Sequence, residues 1–176
     1  MNKASDNPKV SNLNDLLAVA YQIEIDAVER YNVLADQMET HNNPELVKVF
    51  RDLARAEGIH GSEIRRLAGD FDVVNHALQI ARFRRSESPE EAELEPAHYM
   101  MTPWHALQLS LAGEKRALAY FTSIVETAKD PKVKAMAAEL VEEEAEHVNL
   151  VNRLLRRYPP PGEAWAEDMD PPVSQE

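Results

Sequence analysis

Two Glu-x-x-His pairs occupy matching places in this chain, and their residue types suit metal binding. The pairs are Glu57-Gly-Ile-His60 and Glu144-Ala-Glu-His147. Residues three apart lie on the same face of a helix, so each pair presents a carboxylate and an imidazole together. A lone glutamate lies about thirty residues upstream of each pair, Glu24 before the first and Glu114 before the second. Four glutamates and two histidines on four helices are the ligand set of a two-metal site inside a helix bundle.

A single pair in so acidic a chain would usually lie on a solvated helix face. These four glutamates, however, stand alone among apolar residues that recur at helical spacing. An unpaired buried carboxylate costs several kcal/mol, and four would consume a typical folding stability of roughly 5–15 kcal/mol. No Lys or Arg lies on these stripes, so two divalent cations are the expected source of four positive charges. Glu143 could replace Glu144 by spacing, but the internal repeat favours Glu144 and leaves Glu143 on a solvated face.

The internal repeat relates the two halves of the chain. Tyr31 follows Glu24 by seven residues, and Phe121 follows Glu114 by seven. A leucine precedes the glutamate of each Glu-x-x-His pair by four residues. The same alignment superposes all six candidate ligands, which indicates two similar helical hairpins.

Helical periodicity and only five glycines predict an all-α protein. Four long helices are predicted over residues 13–39, 44–68, 103–128 and 131–157. Asn14 or Ser11 is expected to cap the first helix. Asn43, Thr102 and Asp130 each precede a proline and are expected to cap the others.

The connections between these helices predict the topology. Helices 1 and 2, and helices 3 and 4, are joined by short turns and should form antiparallel hairpins. Between helices 2 and 3 lies a long crossover, predicted to contain a short helix over Asp72–Arg85 and then a surface loop from Ser86 to Pro96. Residues 1–157 are expected to form the four-helix bundle domain. Residues 158–176 are expected to form a proline-rich acidic C-terminal tail, extended or disordered.

Composition excludes several classes of function. The chain has no cysteine, which rules out disulfides, thiol catalysis and iron–sulfur centres held by thiolates. A formal charge of -12 argues against nucleic acid or an anionic membrane as a partner. No stretch approaches the roughly 20 apolar residues of a membrane span, and the N-terminus shows no apolar signal segment. A cytoplasmic location is therefore expected.

These motifs resemble the rubrerythrin-like di-iron carboxylate proteins of the ferritin-like superfamily over roughly residues 14–157. The resemblance implies a ferritin-like bundle in which Glu57 and Glu144 bridge two metal ions. It implies that Glu24 and Glu114 are terminal ligands, while His60 and His147 each bind one ion. It also implies that Tyr31 hydrogen-bonds a ligand carboxylate. Two departures stand out: the cysteine-rich rubredoxin domain is missing, and Ala117 replaces a further glutamate one turn after the helix 3 ligand.

Oxygen and imidazole ligands suit iron or manganese. We expect two iron ions per chain, with manganese possible, and a redox protein that reduces hydrogen peroxide or dioxygen. Since the chain has no cysteine, a separate donor protein should supply the electrons. The alternative is an iron-binding protein with ferroxidase activity that handles iron without catalytic turnover. A manganese catalase-like or quinone-hydroxylating relative is less favoured. The hydroxylase would need an exposed apolar membrane face, which these amphipathic helices do not show. A homodimer is expected, with the crossover and the tail as candidate contacts.

Overall fold

Five helices build the part of the chain that the structure, a computed structural model, describes: residues 8–87 and 101–162. The helices are α1 Leu13–Thr40, α2 Pro44–Ala68, α3 Val73–Glu87, α4 Pro103–Thr127 and α5 Pro131–Leu155. The predicted all-α class is confirmed, and each long helix ends within two residues of its predicted end.

The caps match the sequence prediction for three of the four long helices. Asn43, Thr102 and Asp130 each accept a hydrogen bond at the start of a helix whose first turn contains a proline. The prediction for α1 is wrong, because its cap is Asn12. Asn12 Oδ1 accepts from the backbone N–H of Asp15 at 3.0 Å. The helix begins at Leu13, which places Asn14 inside the first turn and Ser11 one residue too early.

The helices pack as two hairpins. α1 lies along α2 and α4 lies along α5, and the turns that join them span residues 41–43 and 128–130. α3 is the short helix predicted in the crossover, and it packs mainly against α1. It extends two residues beyond the predicted end at Arg85, so Ser86 is helical rather than the start of a loop. The remainder of the predicted loop lies outside the described residues.

Two apolar clusters fill the bundle, one toward each end. The first contains Tyr31, Phe50 and Leu107, and the second contains Leu16, Phe121 and Leu140. Each large side chain buried in this way contributes roughly 1.5–3 kcal/mol. Along α1, α2, α4 and α5, the predicted ligand glutamates fall between residues of the first cluster and residues of the second. The apolar clusters therefore sandwich a polar layer at mid-bundle.

The end of α5 is tied to the start of α2. The Tyr158 hydroxyl donates to Glu45 Oε2 at 2.6 Å, and Arg157 Nη1 lies 2.7 Å from Glu45 Oε1. Tyr158 also packs against the first apolar cluster. The division into a bundle and a tail beyond residue 157 stays a prediction. Among the described helices, none is both long enough and apolar enough to span a bilayer.

Candidate metal centre

The polar layer contains all six predicted ligands, one glutamate from each long helix and the two histidines. Glu24, Glu57 and Glu114 are each 2% exposed, and Glu144 is 5% exposed. The side chains of His60 and His147 are 22% and 13% exposed. Four carboxylates buried to this degree need compensating positive charge or shared protons.

Glu57 occupies the middle of the layer. Its Oε2 atom lies 3.5 Å from His60 Nδ1, while its Oε1 atom lies 3.1 Å from His147 Nδ1. The two imidazole rings stack with their centroids 5.9 Å apart. One carboxylate thus turns a different oxygen toward each histidine, which is the arrangement required of a carboxylate that bridges two ions.

Two triads of candidate ligands share Glu57. Glu24, Glu57 and His60 form one triad, and Glu57, Glu114 and His147 form the other. In each triad the potential ligand atoms lie within 4.8 Å of one another. Glu24 Oε2 lies 3.8 Å from His60 Nδ1, and Glu114 Oε2 lies 3.4 Å from His147 Nδ1. Each hairpin therefore brings its own lone glutamate next to its own histidine: Glu24 next to His60 in the first hairpin, and Glu114 next to His147 in the second.

Two buried ligand atoms lack the hydrogen bonds that buried polar atoms normally make. Glu144 Oε2 makes none, and His147 Nδ1 approaches its neighbouring carboxylates without hydrogen-bond geometry. A carboxylate oxygen and an imidazole nitrogen are donor atoms that iron and manganese accept. The residues present therefore fit a pair of metal ions. Glu144 belongs to neither triad, and its predicted bridging role stays a prediction.

Tyr31 lies beside Glu114, one of the predicted ligands, as the resemblance implied. Its hydroxyl donates to Glu114 Oε1 and lies 3.0 Å from Ser110 Oγ. Burial and the Glu114 charge raise the pKa of Tyr31 far above its usual value, so the phenol keeps its proton and remains a donor. Contacts of this kind fix the orientation of a metal ligand.

The expectation that no cation neutralises the buried glutamates is wrong for Glu114. Arg30 Nη2 lies 3.1 Å from Glu114 Oε1, on the oxygen that Tyr31 also contacts. Arg30 is not on the apolar stripe of α1, but its long side chain reaches across to α4. The signal that could have revealed it is Gly113, a glycine inside α4, which costs a helix about 0.5–1 kcal/mol relative to alanine. A Cβ at Gly113 would lie 2.6 Å from Arg30 Cζ.

The protonation of the metal-free layer is uneven. Burial, reinforced by contact with Glu57, raises the pKa of Glu24 to about 11. Burial and the Glu114 charge raise the pKa of Glu144 to about 9. Burial alone would raise the pKa of Glu57 too, but its contacts with His147 and His60 outweigh burial and hold that pKa below its usual range.

The histidines take up protons for the complementary reason. Burial alone would lower the pKa of His147, but the carboxylates of Glu114 and Glu57 outweigh burial and raise it to about 10. Contact with Glu57 also raises the pKa of His60. Without metal at neutral pH, the layer therefore holds protons on Glu24, Glu144 and His147, and metal ions must displace them.

A cavity of about 380 Å³ lies between α1 and α4 and reaches the ligand carboxylates. Glu57, Glu114 and Glu144 line its inner end, and Ala27 and Ala117 contribute to its wall. The small side chain of Ala117 leaves space beside these glutamates. A small molecule could therefore approach the carboxylates from this side.

Glu143 differs from its predicted place on a solvated face. Its carboxylate is 43% exposed, and its Oε2 atom lies 3.9 Å from His60 Nδ1. Glu142 and Glu146, on the same helix, are exposed. Glu143 precedes the buried Glu144 on α5, and the turn of the helix directs it toward His60 at the edge of the layer. Helical spacing alone could not show whether the Glu143 side chain lies at the edge of the polar layer or is fully exposed.

Comparisons with known proteins agree with this fold. A protein-family model described as Rubrerythrin matches residues 15–99. The crystal structure of an uncharacterized conserved protein from Magnetospirillum magnetotacticum MS-1 superposes with a TM-score of 0.71 at 35% sequence identity. That match covers 86% of this chain and 99% of the other. None of the curated proteins compared with the chain matches it.

Proposed function

This chain belongs to the rubrerythrin family of the ferritin-like superfamily, and on that premise we propose that it is a redox-active di-iron protein. Manganese is the alternative metal, since the same oxygen and nitrogen ligands suit both. The proposed ligands are the four glutamates and two histidines of the polar layer: Glu24, Glu57, His60, Glu114, Glu144 and His147.

The observation that carries this proposal is the position of Glu57 between the two histidines. Its two oxygens face His60 and His147 separately, so one carboxylate can serve both ions. A buried glutamate beside each histidine completes a triad for each ion. A purely structural bundle offers no reason to bury four carboxylates around two stacked imidazoles, because apolar residues would cost less.

We propose that the protein reduces hydrogen peroxide or dioxygen. A bound pair of iron ions would supply two electrons at one place, which matches the two-electron reduction of peroxide to two water molecules with two protons. The cavity between α1 and α4 gives a small oxidant a route to Glu57, Glu114 and Glu144. The chain has no cysteine, so the proposal includes a separate electron-donor protein.

A second function, iron handling with ferroxidase activity, is favoured by one observation. Glu143 lies at the edge of the layer, partly exposed, with an oxygen 3.9 Å from His60 Nδ1. A carboxylate between solvent and the His60 triad suits the delivery of cations to it. In that function, iron would pass through the centre instead of remaining there as a cofactor.

Hydrogen peroxide should oxidise the ferrous protein faster than dioxygen does. Anaerobic protein loaded with two ferrous ions per chain would be mixed with one equivalent of either oxidant, and ferric absorption in the near ultraviolet would be followed by stopped flow. His60→Ala and His147→Ala should each slow the reaction, because each loosens one ion. His41→Ala is the matched control, since His41 is exposed at the end of α1.

Faster oxidation by dioxygen, followed by release of ferric iron, would move the assignment to iron handling. Absence of reaction with either oxidant would leave metal binding alone. The homodimer stays a prediction, which light scattering at micromolar concentration would test. The cytoplasmic location also stays a prediction, and fractionation of cells that express the protein would test it.

A further inference from the structure

We propose that Arg30 is a positioning residue which restricts Glu114 to a single metal-facing oxygen and so makes the two metal sites inequivalent. This inference rests on the proposed dinuclear function. The Arg30 guanidinium acts with Tyr31, Ser110 and Gly113, and we name these four residues the Glu114 clamp.

The clamp occupies one oxygen of Glu114. Arg30 Nη2 donates to Oε1 at 3.1 Å, and the Tyr31 hydroxyl donates to the same atom. A carboxylate oxygen offers about two lone-pair directions, so two donors leave Oε1 with none for a metal ion. Oε2 is the oxygen that faces His147, at 3.4 Å from Nδ1. Glu114 is therefore held to bind an ion through Oε2 alone.

Gly113 provides the space that the guanidinium occupies. A Cβ at this position would lie 2.6 Å from Arg30 Cζ, 2.8 Å from Nη2 and 2.9 Å from Nε. Real Cβ atoms essentially never make contacts this short, so an alanine here would force the guanidinium to shift from its place beside Glu114. Arg30 Cζ also lies 5.3 Å from the centroid of the Tyr31 ring, which packs in turn against Phe50. The position of the Arg30 guanidinium is thus fixed by its packing against Gly113 and the Tyr31 ring.

The internal repeat contains the clamp on one side only. In the alignment that superposes Glu24 on Glu114, each clamp residue is matched by a residue of a different type, so the hydrogen bonds of the clamp are not repeated at Glu24. The pairs are Tyr120 for Arg30, Phe121 for Tyr31, Ala20 for Ser110 and Ile23 for Gly113. Phe121 has no hydroxyl to donate, and the Tyr120 hydroxyl donates to the backbone oxygen of Pro8 at 2.9 Å.

This asymmetry makes the two proposed metal sites different, although the hairpins that form them are repeats of each other. An ion bound beside His147 would have a terminal glutamate whose orientation is fixed by charged and neutral donors. An ion bound beside His60 would have Glu24, which the repeat leaves without an equivalent clamp. Of the two predicted terminal glutamates, Glu114 is therefore the one restrained from changing its binding mode while Arg30 is in place.

Cobalt(II) is a suitable probe because its visible absorption weakens as its coordination number rises. Full-length protein would be loaded anaerobically with cobalt(II), and the metal content and visible spectrum would be recorded for four variants. Arg30→Gln and Gly113→Ala should each retain two cobalt ions per chain and weaken the absorption of one of them, because freed Oε1 joins the coordination. Arg30→Lys, which keeps the charge and a donor, should restore most of the wild-type spectrum.

Arg51→Gln is the matched control, since Arg51 pairs with Asp36 and Asn32 away from the metal ligands. It should leave the spectrum unchanged. Wild-type spectra in both Arg30→Gln and Gly113→Ala, with two cobalt ions bound, would overturn the clamp but leave the dinuclear function intact. Failure of the wild-type protein to bind two cobalt ions would instead overturn the dinuclear function. If Arg30→Gln does not fold, Gly113→Ala provides the same test, because it removes no polar group.

Discussion

Glu57→Gln should abolish tight binding of both metal ions, whereas Glu24→Gln should weaken only the ion beside His60. Glu57 belongs to both triads, and each of its oxygens faces a different histidine. A glutamine keeps the shape of the side chain but loses its charge and presents one oxygen instead of two. Loss of a residue that merely supports a metal ligand typically costs about 10–100-fold in affinity, so removing a shared ligand should exceed about 100-fold at both sites.

Anaerobic titration with ferrous iron or cobalt(II), followed by metal analysis after desalting, measures this difference. Glu29→Gln is the control, because Glu29 is an exposed glutamate on the same helix as Glu24. We expect two ions per chain for wild type and the control, about one for Glu24→Gln, and none for Glu57→Gln. A Glu57→Gln protein that keeps one ion at wild-type affinity would show that Glu57 serves one site only.

Metal binding should raise the melting temperature by about 10–20 °C at saturating metal. A ligand at 100 times its Kd stabilises by about 2.7 kcal/mol, so two such sites give about 5 kcal/mol. In a domain of this size, each kcal/mol shifts the melting temperature by roughly 2–4 °C. Calorimetry of metal-free and metal-loaded protein at the same pH measures the difference. A shift below a few degrees at saturation would mean that the buried carboxylates are satisfied without metal.

The difference in melting temperature between metal-loaded and metal-free protein should grow as the pH rises from about 6.5 to 9. The pKa values of Glu24, Glu144 and His147 are raised to about 11, 9 and 10 in the folded, metal-free protein. In this window the folded chain holds protons that the unfolded chain has released, so metal-free stability falls with rising pH. Glu57 and Glu114 have lowered pKa values and affect stability only below their usual range. Metal ions compete with fewer protons at high pH, so loaded protein is stabilised more.

The helices and the faces that carry the candidate ligands could be predicted from the sequence, because both depend on residue spacing along a single helix. The 3.6-residue period marks the apolar face, proline after a capping side chain marks the start, and three-residue spacing places Glu57 with His60. The predicted cap of α1 was wrong because Ser11, Asn12 and Asn14 are all good capping residues, and spacing does not choose among them. Only the first backbone turn of the helix selects Asn12.

The residues around the ligands could not be predicted from spacing, because their contacts cross between helices. Arg30 is more than eighty residues from Glu114 in the chain and lies off the apolar stripe, yet its flexible side chain reaches the carboxylate. Whether Glu143 faces solvent or His60 depends on the rotation of α5 relative to α2. Periodicity identifies the buried face of a helix. It does not show which neighbouring helix a side chain contacts when that side chain lies at the border between the buried and exposed faces.

The number of metal ions that one folded chain holds tests the dinuclear centre most directly. Protein reconstituted anaerobically with excess ferrous iron and then desalted should contain two iron ions per chain by elemental analysis, since two triads share one bridging carboxylate. A value near one would mean that the second triad does not bind iron and that no dinuclear centre forms. A value near zero would mean that the buried glutamates and histidines form a protonated hydrogen-bonding layer rather than a metal centre.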